Sequence, residues 1–224
     1  MVMLTLTTLT SLALDVDTVN MGTRTSRPYH HGNLRETLVG AGVELARTGG
    51  PDAVVLRAVS RQAGVSHNAA YRHFADHDEL LAAVAARCMA ELAHLMAERT
   101  GAVREREPVR RALARLEAIG RAYVEFAVSE PGWFRTAFAG HPAGDGERTV
   151  SPADDPYALL SERLDELVEV GALPPERRPG AEQAAWSMVH GLSSLLLDGP
   201  LRALSPEERE DATRTALAVV ASGL

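Results

Sequence analysis

The stretch that decides the fold is Leu56–Leu81, which reads LRAVSRQAGVSHNAAYRHFADHDELL. Apolar residues at helical spacing predict a short helix over Leu56–Ala63. Gly64 tolerates a left-handed backbone just past the end of that helix, and Ser66 stands where the N-cap of the next helix belongs. Two short helices joined by such a turn are typical of a helix-turn-helix, whose second helix projects into the major groove of DNA.

This second helix is predicted to run from Ser66 to His73, and it is unusual for a core element. Its apolar residues are too few to bury it on all sides, and its polar side chains are of the kind that bind base edges or phosphates. These side chains are His67, Asn68, Tyr71 and Arg72. On spacing alone, a fragment of an ordinary helical bundle is an alternative.

Helical spacing organises the rest of the chain as well. Aromatic residues make up only 4% of the sequence, and alanine and leucine recur throughout, which favours helix over sheet. Glycine and proline separate the predicted helices, and Gly140–Pro156 is predicted to be a loop. Helical spacing predicts a helix before the two short ones, from Asn33 to Gly49, and a long helix after them, from Asp76 past Leu95. Further helices are predicted from Pro108 to Pro131, from Pro156 to Gly171, over Ala181–Leu197 and from Ser205 onward. A helical turn is predicted at Trp133–Phe138. The predicted fold class is all-α.

The net charge of −7 is distributed unevenly along the 224 residues. Residues 22–75 contain 7 arginines and 3 acidic residues, whereas residues 76–224 contain 16 arginines and 25 acidic residues. Lysine is absent, so all 23 basic residues are arginine. A basic amino-terminal part ahead of an acidic remainder is the distribution expected when one end of a protein contacts phosphate.

Composition also excludes several classes of protein. The single cysteine, Cys88, excludes an internal disulfide framework and a cysteine-rich metal site, and it indicates a reducing, cytoplasmic setting. No stretch reaches the roughly 18 consecutive apolar residues of a membrane span, so no membrane partner is expected. His30 and His31 have no third metal ligand nearby, so neither a metal nor a cofactor is expected.

Three regions are predicted along the chain. Residues 1–25 are expected to be a disordered leader, since they lack the basic start and cleavage site of a signal peptide. Residues 26–75 are expected to form a three-helix helix-turn-helix DNA-binding domain. Residues 76–224 are expected to form a second, larger helical domain.

The stretch Leu56–Leu81 resembles the DNA-binding domain of the TetR family of bacterial transcriptional regulators. The resemblance rests on the Ala63-Gly64-Val65-Ser66 turn, the string Tyr71-Arg72-His73-Phe74, and Asp76 followed by Asp78-Glu79-Leu80-Leu81. The preceding SRPYHHGNLRETL is similar to one branch of that family, whose carboxyl-terminal domain carries a Trp, His and Gly signature. Trp186, His190 and Gly191 match this signature, and the resemblance extends from Ser26 to Ser222.

The resemblance implies contacts with a double-stranded DNA operator. It implies that Tyr71 and His73 contact phosphates, and that Arg24 and Arg27 reach into the minor groove as a basic arm. The residues expected to contact bases are His67, Asn68, Ala69 and Arg72, and Arg57, Ser66 and His77 complete the expected DNA-binding set.

Two residues depart from the pattern of the family. His77 stands where relatives usually carry lysine, so a phosphate contact there would be weaker near neutral pH. Val55 stands where serine or threonine normally caps the second helix, and the missing cap costs about 1 kcal/mol.

The resemblance further implies a homodimer formed through the last two helices. One recognition helix makes too few contacts for tight and selective binding, whereas two copies about 34 Å apart match a palindromic operator. The helix Ala181–Leu197 is apolar on two faces, which is consistent with a partner beyond its own domain. A central core helix is the alternative interpretation.

A cavity for a small-molecule effector among the middle helices is also implied. The candidate lining residues are Tyr123, Phe126, Trp133, Phe138, Trp186 and His190, and core packing is the alternative role for each. Effector binding is expected to move the long helix that begins after Asp76 and so to change the spacing between the two recognition helices. Repression is the usual mode of this family.

Two other classes of function fit the sequence less well. A small enzyme would need His73 or His190 as a base, but no serine, cysteine or carboxylate lies at a spacing that supports a triad or a metal site, so no catalytic residue is assigned. A helical protein-interaction module without a DNA role is the other alternative, and it predicts absent or unselective DNA binding.

Overall fold

The computed structural model of the protein describes residues 34–139 and 151–223, and every regular element within these residues is a helix. The prediction of an all-α fold is therefore confirmed. The α-helices are α1 (Leu34–Gly49), α2 (Leu56–Gln62), α3 (His67–Ala70), α4 (His77–Gly101), α5 (Pro108–Ser129), α6 (Pro131–Ala139), α7 (Pro156–Glu169), α8 (Ala181–Leu197) and α9 (Pro206–Gly223). Single 3₁₀ turns lie at Pro51–Ala53, Pro152–Asp154, Pro175–Arg177 and Pro200–Ala203.

Residues 34–75, which contain the first three helices, form the part that we call the head. Its hydrophobic core contains Leu38, Val59, Ala70 and Phe74, each fully buried. Phe74 follows the turn after α3 and packs in this core, and the guanidinium of Arg35 lies 4.8 Å from the centre of its ring. The head is therefore held together by apolar side chains from each of its three helices.

Helix α3 is shorter than the sequence suggested. We predicted a helix from Ser66 to His73, but the α-helix covers only His67–Ala70, and a turn continues to His73. The amides of Arg72 and His73 donate to the carbonyls three residues earlier, those of Ala69 and Ala70, at 3.3 and 2.9 Å. This 3₁₀ pattern tightens the chain and brings Phe74 into the core.

Helix α4 connects the head to the remaining helices. Asp76 caps it by accepting a hydrogen bond from the Glu79 amide at 2.8 Å, while the Glu79 carboxylate accepts one from the Ala75 amide at 2.7 Å. Leu80 and Cys88 lie in the core of the head, whereas Leu92 and other residues further along α4 lie in a second core. Because α4 belongs to both cores, the domain boundary at residues 75 and 76 stays a prediction.

By length and composition, α4 would also be long and apolar enough to cross a membrane. It packs against α1, α5, α6 and α7, and its apolar residues contribute to both cores. We therefore interpret α4 as the central core helix of a folded protein.

Helices α5 to α9, which we call the body, surround the second core. Helix α5 lies between α4, α7 and α8, and α9 packs across α5 and α8. Helix α9 approaches α5 tightly at Gly120, where a Cβ atom would lie 2.3 Å from Cδ2 of Leu217. Ser205 and Glu208 form a reciprocal cap at the start of α9, with hydrogen bonds of 2.7 and 3.3 Å.

Candidate nucleic-acid interface and effector cavity

The turn between α2 and α3 has the geometry that its residues suggested. Gly64 has φ = +69°, in the left-handed region that glycine adopts without strain. The amide of Val65 donates to the carbonyl of Ser60 at 3.0 Å, which closes the end of α2. Ser66 caps α3 by accepting a hydrogen bond from the Ala69 amide at 3.2 Å. The turn thus fixes the orientation of α3 relative to α2.

Helix α3 and the turn that follows it present polar side chains to solvent on the side away from the core. Tyr71 is 49% exposed, and its ring packs edge-on against His67 with 4.7 Å between ring centres. Asn68 and Arg72 are exposed, whereas His73 is half-buried. This surface combines hydrogen-bond donors and acceptors with one positive charge, and it matches what base edges and phosphates offer.

Two further residues of the expected DNA-binding set lie on the helices before and after α3 in the chain. Arg57 is exposed at the start of α2, and His77 is exposed as the first residue of α4. Arg61, which the sequence interpretation left out, is also exposed and lies one turn after Arg57 on the same face of α2. The helical spacing of these two arginines was the signal that could have identified Arg61.

The remaining residues that the sequence analysis singled out in this region are Ala69, Arg24, Arg27 and Val55. Ala69 is half-buried beside Ser66. Arg24 and Arg27 lie outside the described residues, so their placement in the minor groove stays a prediction. Val55 occupies the N-cap position of α2 without a side-chain hydrogen bond, as its residue type implied.

Two models of known protein families match separate parts of the chain. Residues 38–84 match the model of the bacterial regulatory proteins of the tetR family, and residues 116–220 match the model of the tetracyclin repressor-like C-terminal domain. The chain belongs to the TetR family. It is therefore a transcription regulator whose amino-terminal helix-turn-helix is of the DNA-binding type, and Trp186, His190 and Gly191 lie within the second matched region.

Solved structures share this TetR fold. A protein of unknown function from Rhodococcus sp. RHA1 is 26% identical and superposes with a TM-score of 0.71 over 89% of this chain and 99% of the other. A TetR family transcription regulator from Marinobacter aquaeolei VT8 is 19% identical (TM-score 0.59, 82% and 93% coverage). TetR from Acinetobacter baumannii AYE is 20% identical (TM-score 0.59, 84% and 94% coverage). A search of curated proteins finds no match.

Four of the six expected effector-site residues meet in one aromatic cluster of the body. The hydroxyl of Tyr123 and Nδ1 of His190 share a hydrogen bond of 2.8 Å, although the two residues are 67 positions apart. Phe138 and Trp186 pack around this pair, with ring centres 4.7 Å from His190 and 5.2 Å from Tyr123, respectively. Sequence reasoning missed Phe134, whose ring stacks on His190 at 5.6 Å.

Burial determines the protonation of the polar pair in this cluster. It raises the pKa of the Tyr123 hydroxyl and lowers the pKa of His190. Both side chains are therefore neutral at neutral pH, and their hydrogen bond satisfies the Tyr123 hydroxyl and Nδ1 of His190 among aromatic rings.

The other two expected residues, Phe126 and Trp133, lie apart from this cluster. Their rings stack on each other with 6.4 Å between centres, and the indole nitrogen of Trp133 donates to the backbone carbonyl of Val43 in α1 at 2.8 Å. Trp133 therefore contacts the head, and its role in effector binding stays a prediction.

A cavity of about 490 Å³ lies beside the aromatic cluster, between α5, α8 and α9. Tyr123 and Trp186 form part of its wall, and the remaining wall is mostly aliphatic. The aliphatic residues at the wall include Met96, Leu116, Ile119, Leu160, Val189 and Leu217. Its volume lies in the range of small-molecule sites, and α9 was not expected to line it.

The start of α6 docks tightly on the end of α1, which joins the body to the head. A Cβ atom on Gly132 would lie 2.2 and 2.3 Å from the backbone oxygens of Ala46 and Arg47. Arg47 makes two hydrogen bonds with the carboxylate of Glu130, at 2.9 and 2.5 Å, and its guanidinium lies 5.0 Å from the ring centre of Trp133. We call this group of residues the α1–α6 contact.

No group of three or more potential metal ligands occurs in the part of the chain that the structure describes. Cys88 is fully buried in the core of the head, and burial raises the pKa of its thiol to about 12. A thiol in this state is a poor nucleophile, so Cys88 acts as a core residue.

Proposed function

We propose that the protein binds a palindromic DNA operator as a homodimer, with α3 of each protomer in the major groove. The observation that carries this proposal is the exposed surface formed by α3 and the turn after it, where Asn68, Tyr71 and Arg72 are exposed next to the turn at Gly64. Polar side chains of these types, set on a rigid element, suit direct readout of base edges and contact with phosphates.

The last two helices support the proposed dimer. Leu195 on α8 is 43% exposed, and Val219 on α9 is 52% exposed. Large apolar side chains at the surface of two adjacent helices favour association with a second copy, which would form a four-helix interface. Such a twofold arrangement sets the distance between the two α3 helices.

A small molecule in the cavity of the body is proposed to modulate DNA binding. Helix α6 and Glu130 just before it support coupling between the aromatic cluster and the head, because Phe134 and Phe138 pack on His190 while Trp133 and Glu130 contact α1. A ligand that favours one arrangement of the aromatic cluster would shift α6 and α4 together and change the spacing of the α3 helices. We propose repression as the mode and the cytoplasm as the location, with no enzymatic activity.

The proposal is tested by selecting DNA fragments of the source genome that the protein binds. Affinity for the selected duplex and for a scrambled duplex is then measured at two salt concentrations. We expect affinity to fall steeply with salt for both duplexes and to stay at least about 10³-fold higher for the selected one. Absent or unselective binding would instead favour the protein-interaction module.

A further inference from the structure

The residues that line the cavity between α5, α8 and α9 determine the polarity of the part of a ligand that it encloses. Tyr123 and Trp186 line the cavity, and the hydroxyl of Tyr123 is already bonded to His190. The wall formed by Leu116, Val189 and Leu217 is aliphatic. The body of a ligand that fills this space is therefore apolar, because a polar group there would lose its hydrogen bonds to water.

The charged residues that line the cavity lie on α5 and α9. They differ in the hydrogen bonds and ion pairs that they make with neighbouring side chains. Glu117 accepts a hydrogen bond from Arg121 at 2.8 Å, and Arg214 pairs with Asp211. Arg110 is 71% exposed, and its Nε makes only long contacts, at 3.8 and 3.6 Å, with the carboxylates of two glutamates.

These two glutamates are Glu105 and Glu107, and both are occupied by backbone amides. Glu105 accepts from the amides of Arg106 and Glu107 at 2.7 and 3.0 Å, and Glu107 accepts from those of Val109 and Arg110 at 3.1 and 2.7 Å. Both oxygens of Glu107 and Oε1 of Glu105 are thus engaged, and the guanidinium of Arg110 retains donors for a ligand.

We propose that the effector is an amphipathic anion, with an apolar body in the cavity and a carboxylate or similar head held by Arg110. This inference rests on the proposed effector function and narrows it to one class of ligand. The guanidinium is suited to the role because it binds carboxylates through two parallel hydrogen bonds. A neutral apolar molecule, a cationic amphiphile and occlusion of the cavity by a second copy of the chain are the competing possibilities.

The test measures binding of three probes with the same chain length to the full-length protein by titration calorimetry, without DNA. The probes are decanoate, 1-decanol and decyltrimethylammonium. We expect decanoate to bind at least about tenfold more tightly than either of the others. Arg110→Gln should weaken decanoate binding about tenfold and leave 1-decanol unchanged, because only the charged head contacts Arg110.

Two further variants make the test decisive. Arg106→Gln removes an exposed arginine that does not line the cavity and should leave all three affinities unchanged. Ala114→Phe fills the cavity and should abolish binding of decanoate, while circular dichroism checks that each variant folds. Equal binding of decanoate and 1-decanol, or preference for the cation, would overturn the anionic head.

Absence of binding by all probes, or binding that Ala114→Phe leaves intact, would overturn the site itself. These results are separate from the operator measurements. A protein that binds decanoate but no DNA contradicts the proposed function alone, and one that binds an operator but no probe contradicts this inference alone.

Discussion

At the scale of single residues, the side chains of α3 divide into those expected to select a sequence and those expected to add affinity. Arg72→Ala should reduce the preference for one base pair of the operator by about 1–3 kcal/mol, because a base-edge contact is lost. Competition between duplexes with single base changes measures this preference. Arg202→Ala, an exposed arginine in the body, is the matched control and should change nothing.

Tyr71→Phe removes only the hydroxyl of a half-exposed ring. If this hydroxyl contacts a phosphate, the variant should bind all duplexes more weakly by a similar factor, with unchanged sequence preference. Fluorescence anisotropy with a selected and a scrambled duplex measures both quantities. A loss confined to the selected duplex would assign Tyr71 to base readout instead.

The half-buried His190 makes stability depend on pH. Its pKa is lowered by burial, so the unfolded chain binds a proton at a higher pH than the native protein does. Stability from the neutral side chain is present above the unfolded pKa of about 6.5 and is lost as the pH falls below it. Urea unfolding at several values of pH should show a smaller decrease between pH 7 and pH 5 for His190→Gln than for the native protein. Equal slopes would contradict the burial of a neutral imidazole.

The sequence predicted the conformation of a residue correctly where that conformation depends on neighbours in the chain. The cap at Ser66, the positive φ at Gly64 and the missing cap at Val55 depend on neighbours within a few positions, and all three agree with the structure. The pairing of Tyr123 with His190 joins positions 67 apart, and no local pattern specifies it.

At the scale of elements, α6 is longer and makes more contacts than its sequence suggested. We predicted only a helical turn around Trp133, whereas the structure has a nine-residue helix whose start lies against the backbone of α1. Its length follows from tertiary packing, since Phe134 faces the body and Trp133 faces the head. Propensity alone cannot report such packing.

Gly132→Ala tests the α1–α6 contact. The added methyl group would overlap the carbonyls of Ala46 and Arg47, which are backbone atoms, so α6 must move away from α1. We expect a loss of about 1–3 kcal/mol in the free energy of unfolding, measured in urea. Gly40→Ala is the control, because nothing lies within 4 Å of that position in α1, and it should stabilise by up to about 1 kcal/mol.

At the scale of the whole molecule, the exposed apolar residues of α8 and α9 predict a dimer. Leu195→Glu combined with Val219→Glu places charges on this surface and should give a monomer in sedimentation velocity experiments. The monomer should also lose selective DNA binding, because only one α3 helix then contacts the operator. Leu113→Glu, at an exposed leucine of α5, should remain dimeric.

The measurement that tests the central claim most directly compares two proteins on the selected operator at one salt concentration. One is the native chain, and the other carries alanine at Asn68, Tyr71 and Arg72, three exposed positions at which truncation should leave the core of the head intact. We predict that the triple variant keeps the melting temperature and the dimer but binds the operator no better than a scrambled duplex, a loss of about 10³-fold or more. Undiminished affinity of this variant for the operator would contradict the assignment of α3 as the DNA-binding element.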